Sequence, residues 1–419
     1  MQRGRRGRAA VPLLLLAGVL LVALNLRGPL VAVAPVVDDL RRDLHAGAGT
    51  IGLLTSIPVL CFGLAAPLAS LLIARSGMHR AVVVSMGGVL AGMLLRSTGN
   101  ADTVIAGTVV IGLAITIGNV VVPVVIGRDF PGVTNVVTAG YTAALNIGST
   151  LTSALTAPLA GLIGWRGALT AWGVPVVIAA LVWTAALRRQ VAQESAPAAD
   201  DVAPAPVPDG PALWRRPAAW GLTIAFAGQA FSYYGATAWL PSLLADENGL
   251  SRSAAGVSSS LFQILAVAGA FAVPALVHRW QRPSLVLLTV TGFWATLPIG
   301  LLLAPALWPL WCSLAGMAQG GGITVVFIAI VRRSRNLTEN RRLSALVQGG
   351  GYAVAATGPL VVGAVHDASG GWTAPLLVIL GAVMLMAVAG TPAAGGRSDA
   401  VPSEVAGPAP VPVEGRSRG

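Results

Sequence analysis

The sequence has 419 residues, of which 55% are hydrophobic and only 10% are charged, and its mean hydropathy is +0.76. This balance excludes a water-soluble globular protein and indicates a polytopic membrane protein. The formal charge of +11 comes from 27 arginines, with no lysine in the chain. Because the arginines fall almost entirely in loops and tails between apolar segments, they indicate membrane topology and not nucleic-acid binding.

Long apolar segments alternate with short polar ones along the whole chain. A bilayer crossing takes about 20 apolar residues, and the segments are of that order. The sequence therefore predicts an all-α integral membrane protein with twelve transmembrane helices. The predicted spans are 11–37, 50–73, 81–99, 101–126, 134–163, 166–187, 217–244, 252–277, 284–303, 306–331, 341–365 and 371–390.

The start of the chain is similar to a signal peptide, because the arginines at 3–8 precede an apolar run and residues 32–34 read Ala-Val-Ala. Pro35 directly after this tripeptide and the length of the run argue against cleavage. We therefore expect the first run to be a retained span.

A segment rich in Pro, Ala and Asp divides the chain into two halves of six spans. We predict an N-terminal bundle over 1–187, a cytoplasmic linker over 188–216 and a C-terminal bundle over 217–390. Residues 391–419 are rich in Pro, Gly and Ala and are predicted to form a disordered cytoplasmic tail.

The two halves have matching features in the same order, which predicts a duplicated, pseudo-symmetric six-helix unit. Counting back eight residues from Pro35 and from Pro241 sets Arg27 against Tyr233. The pair Gly164-Trp165 ends the fifth span as Gly371-Trp372 ends the eleventh.

The placement of the arginines predicts that both termini are cytoplasmic. With that orientation most arginines fall on the inner side. The outer side has only Arg41, Arg42, Arg96, Arg166 and Arg252.

Arg27 lies in the middle of the first span. An arginine at that depth costs roughly 2.5 to 3.5 kcal/mol on insertion scales, so it is expected to face a protein interior or a watered cavity. The alternative is a snorkelling or helix-kinking residue beside Gly28 and Pro29 that binds no ligand. We predict that Arg27 anchors a substrate, because its planar fork of five donors matches an anion.

Neutral polar side chains on several spans are the expected partners of Arg27 in a substrate site. Each amide taken alone also fits a role in holding helices together, and Trp239 with Tyr233 could sandwich a flat solute. The predicted substrate-binding set is Arg27, Asn25, Asn119, Tyr141, Asn146, Tyr233, Gln229, Trp239, Gln263, Gln319 and Tyr352.

Motifs of enzymes, metal sites and phosphate loops are missing from the sequence, so we expect no enzyme activity, no metal and no cofactor. No Asp or Glu lies in a span core. A buried carboxylate relay for protons is therefore not expected, and a co-transported proton would have to travel on the substrate.

Short stretches in both halves resemble the cyanate permease and 2-nitroimidazole transporter family of the major facilitator superfamily. They are Asn25-Leu26-Arg27 with Pro35, the run Gly52 to Gly63, Ile117-Gly118-Asn119, Arg128-Asp129-Phe130-Pro131, Gly140-Tyr141, Gly164-Trp165-Arg166 and Trp239-Leu240-Pro241.

The resemblance implies the major facilitator fold, with two six-helix bundles around a central cavity and spans one, four, seven and ten along the path. It places Arg27, Asn119, Tyr233 and Gln319 at the cavity. The family's loop signature between spans two and three is present only in part, because Ala74 stands where an Asp is expected. The residues expected at the inner gate are Arg75, Gly77, Arg80, Arg128 and Asp129.

We therefore expect a secondary active transporter in a bacterial inner membrane, carrying a small anionic or planar polar solute by alternating access. The alternatives are efflux of a drug-like heterocycle such as a nitroimidazole, and a membrane sensor or scaffold without transport. The expected partners are the solute, the lipid bilayer and no nucleic acid, and we expect a monomer.

Overall fold

The computed structural model describes residues 13–130, 133–193, 215–334 and 337–395. These residues form fifteen α-helices and contain no β-strand. The helices are α1 Leu13–Val31, α2 Val37–Leu44, α3 Ala48–Leu64, α4 Ala66–Ser76, α5 Met78–Arg96, α6 Ala101–Asp129, α7 Thr134–Ala171, α8 Gly173–Gln193, α9 Pro217–Asn248, α10 Arg252–Trp280, α11 Pro283–Leu303, α12 Trp308–Arg333, α13 Leu337–Ala355, α14 Gly358–Ser369 and α15 Thr373–Gly395.

The number of membrane crossings agrees with the twelve predicted spans. In the described residues, nine helical runs are long and apolar enough to cross a bilayer, or ten if the bent pair α3 and α4 is one span. One of these runs, Val136–Arg188, has 53 residues and contains two predicted spans. It is divided at Gly164, whose φ of 72° and ψ of 163° interrupt the helix.

Helix α9 supplies the remaining crossing. It is 32 residues long, but it is not among the nine apolar runs, because Gln229, Ser232, Tyr233 and Tyr234 near its centre lower its hydropathy. Nearly all of its middle is buried, so these polar groups face protein rather than lipid. This burial places α9 at the centre of the molecule, where its polar side chains are available to a cavity or to neighbouring helices.

Two crossings are broken, namely the second span of the first half and the fifth span of the second half. Helices α3 and α4 meet at Ala65 with a bend of 62°, and Pro67 follows in the first turn of α4. In the second half α13 ends at Ala355 and α14 has Pro359 in its first turn. Proline lacks an N–H and is tolerated in a first turn, which explains why both breaks lie just before one. Helix α3 packs against both α13 and α14, so the broken helices join the two halves.

The internal repeat predicted from the sequence is visible as one contact made twice. The indole of Trp165 donates a hydrogen bond to Asp43 at 3.2 Å, and the indole of Trp372 donates one to Asp246 at 2.9 Å. In each half, the tryptophan of the Gly-Trp pair is hydrogen-bonded to an aspartate that lies just after the first span of that half. This repeated contact agrees with the predicted architecture of two pseudo-symmetric bundles.

The two halves touch at one end and separate at the other. We call the end that carries α2 the α2 end. Close to it, the Ser153 hydroxyl of α7 and the Ser259 hydroxyl of α10 are hydrogen-bonded at 2.9 Å, and a Cβ on Gly256 would lie 2.9 Å from the Ser153 carbonyl oxygen. Further along, the same two helices are parted by a groove. The halves therefore form a V that closes at the α2 end.

Arg96, which the arginine count places on the outer side, is buried. Only 1% of its surface is exposed, and its Nη1 donates to the Pro29 carbonyl oxygen at 2.7 Å. That carbonyl is free because the Val33 N–H, which would normally reach it, turns to Leu30. Arg96 thus supplies a hydrogen-bond donor to an otherwise unpaired carbonyl group near the end of α1.

The predicted linker and tail fall mainly outside the described residues and stay predictions. Helix α15 continues to Gly395, five residues past the predicted end of the last span at 390.

Candidate binding site in the central cavity

A cavity of about 750 Å³ lies between the two halves. This volume falls in the range of about 300 to 1,000 Å³ that is typical of small-molecule sites. It reaches from Arg27 towards the end opposite α2, where the wall residues Ser70 and Pro123 are exposed. Six residues of the predicted set line it, namely Arg27, Asn119, Tyr141, Asn146, Gln319 and Tyr352.

Arg27 forms the floor of this cavity. Its Nη1 donates to the Asn146 Oδ1 at a long 3.5 Å, and its Cζ lies 5.7 Å from the centroid of the Tyr233 ring. On the α2 side of the guanidinium, only a void of about 10 Å³ remains. Solvent can therefore reach Arg27 from one direction only.

The chain has four tyrosines, and all of them lie within electrostatic reach of the Arg27 guanidinium. Tyr233 packs edge-to-face against Tyr234 at a centroid distance of 4.9 Å. Across the cavity, Tyr352 packs in the same way against Phe62 at 5.6 Å. These rings give the site flat apolar walls with hydroxyl groups at their edges.

Arg27 is the only residue with a formal charge among the described residues that line the cavity. Within the described part of the chain, no carboxylate forms an ion pair with it. The remaining polar lining consists of neutral amides and hydroxyls. The cavity therefore presents one positive charge surrounded by neutral donors, an arrangement suited to an anion.

The Tyr233 ring is positioned by residues behind it. Its hydroxyl donates to Gln263 Oε1 at 3.2 Å, and Gln263 Nε2 donates to the Thr237 hydroxyl at 3.3 Å. The sequence repeat sets Tyr233 opposite Arg27, and the structure brings the two side chains face to face.

Five residues of the predicted set are not among those that line the central cavity. Tyr233 lines the small void on the α2 side of Arg27, and the other four contact neighbouring helices. Asn25 faces α8 and donates to the Leu21 and Pro175 carbonyls. Gln229 donates to the Gln319 carbonyl at 3.3 Å, and Trp239 donates to that of Pro359 at 2.8 Å. With Gln263, these side chains join helices, which is the alternative role noted for amides in membrane spans.

Other cavity residues were not in the predicted set. Phe62, Tyr234 and Gln348 line the cavity, together with Thr116 and Thr142. Tyr234 and Gln348 are polar residues within spans, so composition singles them out but does not show which way they face. Phe62 lies in an apolar run, and only its contact with Tyr352 identifies it.

Ion pairs join the two halves at the α2 end. Arg252 Nη1 lies 2.5 Å from Asp39 Oδ1, and Arg252 Nε lies 3.9 Å from Asp38. Arg41 of α2 pairs with Asp367 of α14 at 3.1 Å. These contacts cross between the halves and stabilise the arrangement in which the α2 end is closed.

Removing the Arg252 pairs should loosen this closure. We expect Arg252→Gln to increase labelling of a cysteine at Ser259 by a membrane-impermeant maleimide about two- to fivefold, since exposed pairs are worth about 0.2 to 1 kcal/mol. The measurement is made in right-side-out vesicles, with Cys61 and Cys312 replaced by serine. Arg42→Gln is the matched control, because Arg42 pairs with Asp39 inside α2. Equal labelling of the two variants would contradict a role for the Arg252 ion pairs in keeping the α2 end closed.

The residues predicted at the inner gate lie at the end opposite α2. Gly77, with φ of 80°, connects α4 to α5 in a conformation that favours glycine. Arg128 contacts both Asp129 and His79 at 2.6 Å, and His79 lies 3.8 Å from Asp129. These three side chains belong to one half, and Arg75 and Arg80 are exposed near them. In the described residues, no three His, Cys, Asp or Glu side chains are grouped to hold a metal ion.

Comparisons with known proteins agree with this architecture. The family model described as Major Facilitator Superfamily matches residues 13–334. The chain is similar to the "Uncharacterized transporter YycB" of Bacillus subtilis (strain 168), with 32% identity over 381 residues, covering 90% of this chain and 92% of that protein.

Two further relatives come from Escherichia coli (strain K12). The 2-nitroimidazole transporter is 31% identical over 379 residues, covering 90% of this chain and 94% of the relative. The cyanate transport protein CynX is 27% identical over 379 residues, covering 88% and 94%. The predicted resemblance is confirmed.

Among solved structures, the chain is similar to a bacterial homolog of the human lysosomal transporter Spinster, described as inward-facing and unoccupied. The TM-score is 0.74 at 16% identity, covering 93% of this chain and 98% of that one. At this identity the likeness shows the fold alone.

Proposed function

The chain belongs to the major facilitator superfamily of multi-pass membrane transporters, and we propose that it carries a small planar anion across the bacterial cytoplasmic membrane by alternating access, with Arg27 as the anchor. The observation that carries the proposal is the single unpaired positive charge at the floor of the central cavity. A guanidinium binds a carboxylate or a similar anion through two parallel N–H donors.

The walls of the cavity favour a flat solute. Tyr141, Tyr234 and Tyr352 offer ring faces, while Asn119 and Gln319 offer amide donors and acceptors. A flat anion lying against these rings would keep its charged edge on Arg27 and its remaining polar atoms near the amides.

Alternating access is supported by the unequal ends of the molecule. Ion pairs between the halves hold the α2 end together, whereas the cavity extends to the opposite end. Reversal of this V would require those pairs to break, and a bound anion on Arg27 would move from one aqueous compartment to the other. The arginine distribution supports an orientation with the α2 end outside.

A second candidate function is efflux of a neutral heterocycle. It is favoured by the aromatic walls, which would stack on a flat ring without any charge, and by the similarity to the 2-nitroimidazole transporter. In that case Arg27 would serve the structure and not the substrate.

Uptake into vesicles containing the purified protein separates these functions. The solutes are cyanate, a planar aromatic monocarboxylate, the carboxamide of the same compound and 2-nitroimidazole. We expect saturable uptake of the anions and at least a tenfold lower rate for the carboxamide, because it lacks the charge that Arg27 binds. Equal rates for the carboxylate and its carboxamide would overturn anion selectivity, and transport of the nitroimidazole alone would favour the second candidate. Vesicles without flux of any solute would favour a scaffold.

A further inference from the structure

A second, lateral groove lies beside the central cavity, between α7, α10 and α12, and Thr142, Thr324 and Phe327 line both. Its volume is about 570 Å³. Its walls are mainly apolar and include Val267, Phe271, Phe327, Ile328 and Val331. The proposed binding of an anion at Arg27 does not use the apolar part of this groove, because Arg27 does not line it.

Apolar side chains of the groove are exposed on crossing helices. Phe271 on α10 is 55% exposed and Val331 on α12 is 60% exposed, although both helices are membrane crossings. Exposed apolar side chains on a crossing helix lie against lipid. An occupant can therefore enter from the membrane without passing through water.

Its few hydroxyl groups do not make the groove polar. Thr142 donates to the Thr138 carbonyl at 3.1 Å, and Thr324 donates to that of Gly320 at 3.1 Å. Both hydroxyls are satisfied within their own helices. The long wall of the groove is thus suited to a hydrocarbon chain and offers little to a polar solute.

One end of the groove carries a cation. Arg332 lies in the last turn of α12, lines the groove and is exposed. An arginine at the end of a crossing helix extends to the headgroup level of the membrane. Positive charge there attracts anionic lipids.

From the apolar wall, its exposure to the membrane and the cation at its end, we propose that this groove is a lipid site that holds one acyl chain of an anionic phospholipid, with the phosphate on Arg332. An acyl chain gains little by leaving the bilayer for the groove, because both are apolar. Selectivity among phospholipids therefore comes from the charge on Arg332. This inference is independent of which solute the central cavity carries.

The proposal is tested by photocrosslinking. The photoreactive p-benzoylphenylalanine replaces Phe271, and the full-length protein is reconstituted in vesicles of equal amounts of phosphatidylglycerol and phosphatidylcholine with the same acyl chains. After illumination, mass spectrometry identifies the lipid attached to the protein. The matched control places the same residue at Val388 of α15, which is 74% exposed and does not line the groove.

We expect phosphatidylglycerol to be enriched about fivefold among the adducts at position 271, the ratio that a single interfacial arginine provides. No enrichment is expected at position 388, and Arg332→Gln should abolish it at position 271. Equal adduct ratios at the two positions would overturn the proposal. Retained enrichment in Arg332→Gln, or loss of lipid adducts when an aromatic carboxylate is added, would also overturn it, the latter because a solute would then be the occupant.

Discussion

Arg27→Gln is expected to reduce saturable anion uptake about 30-fold or more at equal membrane abundance. The cavity offers no second charge among its described lining residues, so the substrate anion would be left against neutral groups. Losing one partner of a buried, hydrogen-bonded charge pair costs about 2 to 5 kcal/mol, and 1.4 kcal/mol is a factor of about ten. The measurement is initial uptake over a range of substrate concentrations, with folded protein quantified in the same vesicles.

Two further variants separate the role of the charge from that of the shape. Arg27→Lys keeps the charge but loses the planar fork, so we expect a higher half-saturation concentration with transport retained in part. Asn25→Ala removes a side chain that faces α8, and it should leave the half-saturation concentration unchanged. If Arg27→Gln carried the anion normally, or lost a neutral heterocycle to the same degree, the anchor role of Arg27 would be wrong.

The sequence was sufficient for the fold because the signals involved are long and repeated. Each crossing needs a run of about 20 apolar residues, and the bilayer allows few structures other than helices. The repeat also had structural meaning: the paired Trp165 and Trp372 each bond to an aspartate, and the paired Arg27 and Tyr233 meet at the cavity.

The direction in which each polar side chain points was not predictable in the same way. In a soluble helix the polar face marks the solvent side, but here both the lipid and the interior are apolar, so the pattern is nearly uniform around each span. Asn25 and Arg27 are two positions apart, yet they face α8 and the cavity respectively. Residues two apart on a helix do not share a face, and the sequence alone gave no means of choosing between them.

Burial of a charged residue near a helix end was also missed. Arg96 is the last residue of α5, a position where counting arginines for membrane topology treats the residue as part of a loop. Its partner is the Pro29 carbonyl oxygen, which is available because the Val33 N–H bonds to Leu30 instead. This local change in the backbone could not be predicted from the sequence pattern.

The packing of α1 against α7 depends on a glycine that the sequence does not distinguish from its many neighbours. A Cβ on Gly148 would lie 2.0 Å from the Leu24 carbonyl oxygen, whereas real Cβ contacts are essentially never shorter than 3.0 Å. Gly28 of α1, next to Arg27, packs against Thr152 of α7. Small residues at these positions let the two backbones approach closely.

We therefore expect Gly148→Ala to force α1 and α7 apart and to lower the amount of folded protein, because overpacking costs typically 1 to 3 kcal/mol. Gly127→Ala on α6 is the matched control: nothing lies within 4 Å of a Cβ added at this position, and alanine is the better helix former there. Both are compared by thermal unfolding of purified protein in detergent. A melting temperature for Gly148→Ala equal to that of the control would contradict the close contact.

The Gly148→Ala protein that does fold tests whether the close packing of α1 and α7 affects substrate binding. Arg27 and Asn146 lie on the two helices that must separate, and their hydrogen bond is already long at 3.5 Å. A shift of α1 would move the guanidinium away from the amide while leaving its charge in the cavity. We expect weaker anion binding, seen as a higher half-saturation concentration per folded molecule. If only abundance fell and the half-saturation concentration did not change, the Arg27–Asn146 contact would be dispensable for substrate binding and Arg27 would hold the anion with other partners.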